Sequence, residues 1–269
     1  MLESRSTLEV EKIIDFHQYP INPVSAESRR DYIQSCRITL ATHGYIILKH
    51  FITSNALTLA QRECNQLSSF AEYSTRYTNP YKTDDDPTLP LDHPMRYFAL
   101  RTNAFVAQHH FGDRSLFRTL YHSDLIKQFF AACLGLDVIY EYADPLGGLV
   151  MNVLPPGGQH PWHFDENDFS IVLMVQMPQQ GGVLEIAPMI RTPEAEQFEQ
   201  VRQVLAGVSD RTKTIPVNAG DLVIFNGKRS LHRVAQVQGT KERHTIIFSY
   251  TQESGVVART ENNSKVFSQ

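Results

Sequence analysis

The second half of the chain most limits what it can fold into. Leu149 to Leu154, Phe169 to Met177, Gly182 to Ala187, Asp221 to Phe225, Leu231 to Val237 and Thr245 to Tyr250 are short β-like runs. Turn chemistry separates them, at Pro155-Pro156-Gly157-Gly158, Gly181-Gly182, Ala219-Gly220-Asp221 and Asn226-Gly227. Strands of that length and spacing predict a sandwich or jelly roll. One stretch departs from the pattern. Over Pro193 to Leu205 the apolar Phe198, Val201, Val204 and Leu205 recur at helical spacing, which predicts a helix inserted near 193–205.

The first half reads as helical. Ala26 to Thr42 carries an imperfect apolar face that His43-Gly44 stops, and Tyr45 to Leu48 is a short β run. Thr53 or Ser54 is placed to cap a helix through about Phe70, and Ser123-Asp124 to cap another over Leu125 to Leu134, which Gly135 ends. Ser74 to Pro94 has no sustained period and is rich in Pro, Asp, Thr and Tyr, so it reads as a long loop and a candidate lid. All-β barrels and sandwiches of about this size commonly form one domain. The expectation is therefore a single domain over 1–269, mainly β with flanking helices. Residues 1–140 supply helical and lid elements, and 141–253 the core.

Composition narrows the partners. A formal charge of -4, with 20% charged and 42% hydrophobic residues, gives no electrostatic reason to expect nucleic acid. No segment reaches the roughly 18 apolar residues of a membrane span, and Met1 to Val10 lacks the basic flank and apolar run of a signal peptide, so a cytoplasmic location is expected. Cys36, Cys64 and Cys133 lie far apart without CxxC spacing, which predicts buried reduced thiols.

The chemistry concentrates at Gln159-His160-Pro161-Trp162-His163-Phe164-Asp165, just before a strand. Alternation in an extended segment sends His163 and Asp165 to one face and Phe164 to the other. His232 follows the strand Asp221 to Phe225 and its Asn226-Gly227 turn, where an antiparallel sheet can return it to the same place. Two histidines and a carboxylate on one face leave coordination positions open, the arrangement of non-haem Fe(II) oxygenases. Further on, Arg243 and Thr245 share a strand face; a guanidinium and a hydroxyl there can grip a carboxylate, although a solvated strand arginine is the plainer reading of Arg243 alone.

The order His163-x-Asp165, His232, Arg243-x-Thr245 resembles the Fe(II)/2-oxoglutarate oxygenase superfamily, and Gly44 to Leu48 followed by a helix resembles the start of its phytanoyl-CoA-dioxygenase-like members. Tyr142-Ala143-Asp144-Pro145-Leu146-Gly147-Gly148 through Asp165, with Gly181-Gly182-Val183-Leu184-Glu185, is similar to the branch containing free amino-acid hydroxylases and radical halogenases, over roughly residues 140 to 260. The resemblance implies a double-stranded β-helix core of the jelly-roll or cupin kind. It also implies an iron(II) centre on His163, Asp165 and His232, and 2-oxoglutarate and O2 as cosubstrates. In the halogenases Gly or Ala stands where Asp165 stands here, so hydroxylation is expected.

Arg243 and Thr245 would hold 2-oxoglutarate, with Asn152 a further donor or else an inward strand amide. The substrate would be a small carboxylate-bearing molecule, a free amino acid or a derivative. His160 with Arg101 or Arg96 would contact it, and Glu166, Ser249 and Thr251 would add polar contacts. Amino-acid-specific relatives tend to carry an amide near Ser249, where this chain has a hydroxyl. The competing readings are a cupin-like metalloenzyme that does not use 2-oxoglutarate and a non-catalytic jelly-roll binding protein.

Overall fold

The computed structural model describes residues 9–21, 26–144 and 146–257; most of the Met1 to Val10 segment, and Pro145, lie outside them. Helix α1 (Ala26–His43) ends at Gly44, whose φ of +75° turns the chain into β1 (Tyr45–Leu48). A Cβ added at Gly44 would stand 2.9 Å from Pro188, so only glycine fits the turn. Thr53 then caps α2 (Ser54–Leu67), its hydroxyl accepting from the Ala56 N–H.

The next segment corrects the sequence reading. Ser74 to Thr78, expected as loop, belong to β2 (Glu72–Thr78), which pairs residue for residue with β3 (Ala99–Val106). The region is polar because β2 is an edge strand: only alternate residues turn inward, and Tyr73 and Tyr77 stay exposed. Helices α3 (Leu116–His122) and α4 (Asp124–Leu134) follow, the latter ended by Gly135 at φ +77°. Ser123 does not cap α4 through its side chain, contrary to expectation; its buried hydroxyl has no hydrogen-bond partner among the described residues.

After β4 (Tyr140–Glu141) come β5 (Leu149–Leu154), β6 (His160–His163), β7 (Ser170–Gln176), β8 (Gln180–Gly181) and β9 (Leu184–Ala187). The inserted helix is α5 (Phe198–Leu205), shorter than predicted. Then follow β10 (Lys213–Ile215), β11 (Leu222–Phe225), β12 (Leu231–Val234), β13 (Val237–Gln238), β14 (Arg243–Phe248) and β15 (Tyr250–Thr251).

Two antiparallel sheets organise these strands, one ordered β1-β11-β7-β14-β5-β3-β2 and the other β10-β9-β12-β6. Alternation divides their side chains among three apolar layers. Ile171, Leu173, Ile224, Ile246 and Phe248 pack outward from the large sheet against Phe129, Phe130 and other helical residues. Met174, Val223, Phe225, Leu184 and Val234 fill the space between the sheets. On the outer face of the small sheet, Trp162, Phe164 and Leu231 pack with Val201 and Val204 of α5. The fold is thus the jelly-roll type expected, mostly β with helices on the large sheet. The inner layer stops short of one end, where polar side chains line a cavity.

Candidate active site

Register brings the candidate metal ligands together. β6 and β12 pair antiparallel with His163 directly opposite His232, and the two rings lie 4.1 Å apart between centroids. Asp165 follows β6 by two residues, its backbone N–H donating to Gly227 O at 3.1 Å. Its Oδ1 lies 3.5 Å from His163 Nε2 and its Oδ2 3.4 Å from His232 Nε2. One donor atom from each residue lies within 4.8 Å of the others, and no second group of this kind occurs among the described residues.

Each imidazole is oriented from behind. His163 Nδ1 sits 2.8 Å from Pro161 O, and His232 Nδ1 sits 2.9 Å from Ser230 O. A carbonyl only accepts, so Nδ1 carries the hydrogen and Nε2 keeps its lone pair for a cation. Burial, then the neighbouring His232, pushes His163 down to about 3, so the His163 ring is neutral at physiological pH. Burial raises Asp165, but His232 and His163 outweigh it and hold the carboxyl well below its usual range. Ser170 Oγ also donates to Asp165 Oδ2 at 2.5 Å. Two imidazole nitrogens and a carboxylate oxygen are the donor set a divalent iron takes.

Gly227 makes room for that carboxylate. A Cβ there would stand 2.7 Å from Asp165 Oδ2 and 2.3 Å from Ser170 Oγ. Gly227→Ala is therefore expected to displace Asp165 and weaken Fe(II) binding by about 10–100-fold, the usual cost of disturbing a ligand's supports. Anaerobic equilibrium dialysis would read the change, and iron affinity equal to wild type would show that the carboxylate is not the group confined.

Arg243 and Thr245 extend from β14 into the same cavity of ≈ 270 Å³, with Asn152 of β5 directly opposite Thr245. Arg243 is 3% exposed, and its Nε has no hydrogen-bond partner among the described residues. Burial lowers it to about 10, which leaves it charged at neutral pH. Gly182, at φ +59°, clears its path: an added Cβ would meet Arg243 Cδ at 3.1 Å. Asn152 belongs to a buried relay in which Arg101 Nε donates to Asn103 Oδ1 at 2.8 Å and Asn103 Nδ2 to Asn152 Oδ1 at 3.0 Å. With its oxygen so engaged, Asn152 has its N–H groups left as donors.

His160 reaches the cavity through a bulge. His163 faces His232 while His160 faces Val234, so three steps of β6 oppose two of β12. The extra residue turns His160 to the same side as His163, and the rings stack 3.8 Å apart. Burial, then His163, holds His160 well below the usual imidazole range. Arg101 lies over the Phe105 ring at 5.1 Å, and burial, then Arg76, lowers it to about 9.

The remaining expected contacts divide. Glu166 and Ser249 line the cavity. Arg96 does not: its Nε and Nη2 hold Asp85 at 2.9 and 3.1 Å and its Nη1 donates to Leu89 O, so it braces the loop before β3. Thr251 also lies outside the cavity lining, its hydroxyl accepting from the Glu253 N–H. Among the lining residues that the sequence reading did not assign to the site are Arg76, Lys82, Tyr142, Asn167 and Ser170. Arg76 had a signal in the alternation of Tyr73, Thr75 and Tyr77 against Ser74, Arg76 and Thr78; Lys82 had none.

Solved structures share this fold at low sequence identity. The chain is similar to an oxidoreductase of the 2OG-Fe(II) oxygenase family from Burkholderia pseudomallei, with a TM-score of 0.52 and 13% identity over 83% of this chain and 92% of that one. A prolyl-4-hydroxylase from Pseudomonas putida gives 0.52 and 17% over 82% and 100%. The epimerase SnoN in complex with Fe3+, alpha ketoglutarate and nogalamycin RO gives 0.58 and 13% over 82% and 84%. No curated protein matches the chain.

Fold, donor set and family together define an Fe(II)- and 2-oxoglutarate-dependent oxygenase. A family model described as Halogenase D matches residues 28–268, and the chain belongs to that family. Among the described residues no helix is long and apolar enough to cross a membrane.

Proposed function

We propose that the protein hydroxylates a small carboxylate-bearing metabolite, a free amino acid or a derivative of one. In this reading His163, Asp165 and His232 hold Fe(II), and Arg243, Thr245 and Asn152 hold 2-oxoglutarate. The observation that carries it is Asp165, braced by Ser170 against both imidazoles in a cavity that also contains Arg243, whose Nε has no hydrogen-bond partner among the described residues. When bound, iron and 2-oxoglutarate supply oxygen activation and C–H oxidation, with 2-oxoglutarate converted to succinate and carbon dioxide.

The chain's own part is placement and exclusion of water. Backbone carbonyls of Pro161 and Ser230 fix the two imidazoles with Nε2 forward. A protein carboxylate at position 165 fills the place a halide would need, which supports hydroxylation within a family named for halogenation. Arg243 is buried where a charge-assisted bond to a carboxylate is strong. Metal chemistry without 2-oxoglutarate has no use for such a clamp, nor has a binding protein. Arg101, still protonated at neutral pH, is the cation for the substrate carboxylate, while His160, Glu166 and Ser249 offer it polar contacts.

The test has two stages. Anaerobic addition of Fe(II) and then 2-oxoglutarate is expected to raise a metal-to-ligand absorption band. Aerobic incubation with a panel of carboxylate metabolites in chloride buffer is then expected to yield a product heavier by one oxygen atom. Absence of the band, or a chlorinated product, would overturn the proposal.

A further inference from the structure

Arg101, Asn103 and Phe105 share one face of β3, and the Arg101 side chain lies along it: its guanidinium rests on the Phe105 ring while its Nε donates to Asn103 Oδ1 at 2.8 Å. Phe105 stands directly opposite Asn152 of β5, so Asn103 is the diagonal neighbour of Asn152 on that face. There Asn103 Nδ2 donates to Asn152 Oδ1 at 3.0 Å. Both ends of this relay line the cavity, whereas Asn103 is fully buried and does not.

A carboxamide can face either way, since its oxygen accepts and its nitrogen donates in nearly the same shape. A guanidinium only donates. Arg101 Nε therefore requires the oxygen of Asn103, which turns the Asn103 NH2 to Asn152. That N–H in turn requires the Asn152 oxygen, so the Asn152 NH2 is the group left for the cavity. An acceptor in place of Arg101 Nε would reverse both amides, and Asn152 would then present a carbonyl oxygen to an anionic cosubstrate. The direction of the second amide matters because Asn152 stands directly opposite Thr245, beside Arg243 in the same cavity.

Stability alone does not call for an amide at position 103. Hydrogen-bonded buried groups can be replaced by apolar groups of the same shape at little net cost. What an apolar side chain lacks is direction: it cannot pass the donor-only character of Arg101 on to its neighbour.

We infer that Asn103 is a positioning residue for the reaction, which, set by Arg101, holds the Asn152 NH2 toward 2-oxoglutarate. The inference rests on the reading that Asn152 donates to 2-oxoglutarate, and it gives Arg101 a second task besides the substrate carboxylate. Neither Asn103 nor Arg101 need touch the cosubstrate for this.

Titration of the anaerobic Fe(II) enzyme with 2-oxoglutarate, followed by the absorption band, tests this in a double-mutant cycle. Asn103→Leu removes both hydrogen bonds. Asn103→Asp, of the same shape as the original, still accepts from Arg101 but has no N–H, so the Asn152 amide reverses to donate to it. Each is expected to raise the dissociation constant for 2-oxoglutarate about tenfold, with Fe(II) affinity by dialysis unchanged. In the Asn152→Ala background the effect of Asn103→Leu is expected to vanish, and that of Asn103→Asp to shrink to what its added charge contributes. A residue that merely supports the sheet would have the same effect in both backgrounds. Should leucine not be accommodated, the aspartate carries the same cycle. Unchanged 2-oxoglutarate binding in the Asn103 variants, or an effect undiminished beside Asn152→Ala, would overturn the inference. Wild-type affinity in Asn152→Ala would also overturn it, by removing Asn152 from the cosubstrate site, while the band and the hydroxylase reading persist. A band that never develops in the wild type would strike that reading and the inference with it.

Discussion

Asp165→Ala is expected to lose Fe(II) under conditions in which the wild type retains it, with affinity falling by more than the roughly 10–100-fold that follows loss of a ligand's supporting partner. The reason lies in the donor set: Asp165 is its only anion, and it lies within 3.5 Å of His163 Nε2 and 3.4 Å of His232 Nε2. Two imidazoles without a carboxylate are a weak site for a divalent ion. Added formate, which supplies a carboxylate to the vacated space, is expected to restore part of the affinity in the variant and none in the wild type. Anaerobic dialysis reads both effects without turnover. Iron retention equal to wild type would remove Asp165 from the metal site.

Arg243→Ala is expected to raise the dissociation constant for 2-oxoglutarate about ten- to a hundredfold, because a hydrogen bond to a charged group contributes roughly 1.5–3 kcal/mol. Fe(II) affinity is expected to stay unchanged, since Arg243 has no contact with the three ligands. Arg243→Lys should fall between the two, keeping a charge but losing the planar fork that matches a carboxylate. Titration of the absorption band with 2-oxoglutarate measures all three proteins. An unaltered constant in Arg243→Ala would return this residue to the role of an ordinary strand charge.

What the sequence revealed and what it hid follow from how each strand is buried. β5, β7, β11 and β14 are covered on both faces and read as apolar runs, so their positions were legible, as was the gathering of His163, Asp165 and His232. β2 has one neighbour and one wet face, and its composition of Glu, Tyr, Ser, Thr and Arg looks like loop. With β2 unseen, Arg76 could not be paired with Arg101, and Arg96 was the nearer candidate. Lys82 owes its place to a loop closed by Asn79, whose hydrogen bonds span distances no periodicity reports. The Ser123 cap failed for a related reason: the residue type suits a cap, but packing rather than local sequence decides where its hydroxyl points.

The bulge between His160 and His163 sets how residue count in β6 relates to the facing of its side chains. Removing one residue from that interval would leave His163 opposite His232 and take up the bulge, so that His160, now two residues away, stays on the same face and opposite Val234. Among descendants of one ancestral gene, a single-residue deletion here is therefore expected to be absorbed without turning either histidine from the cavity, a tolerance that comparison by substitution alone would not reveal.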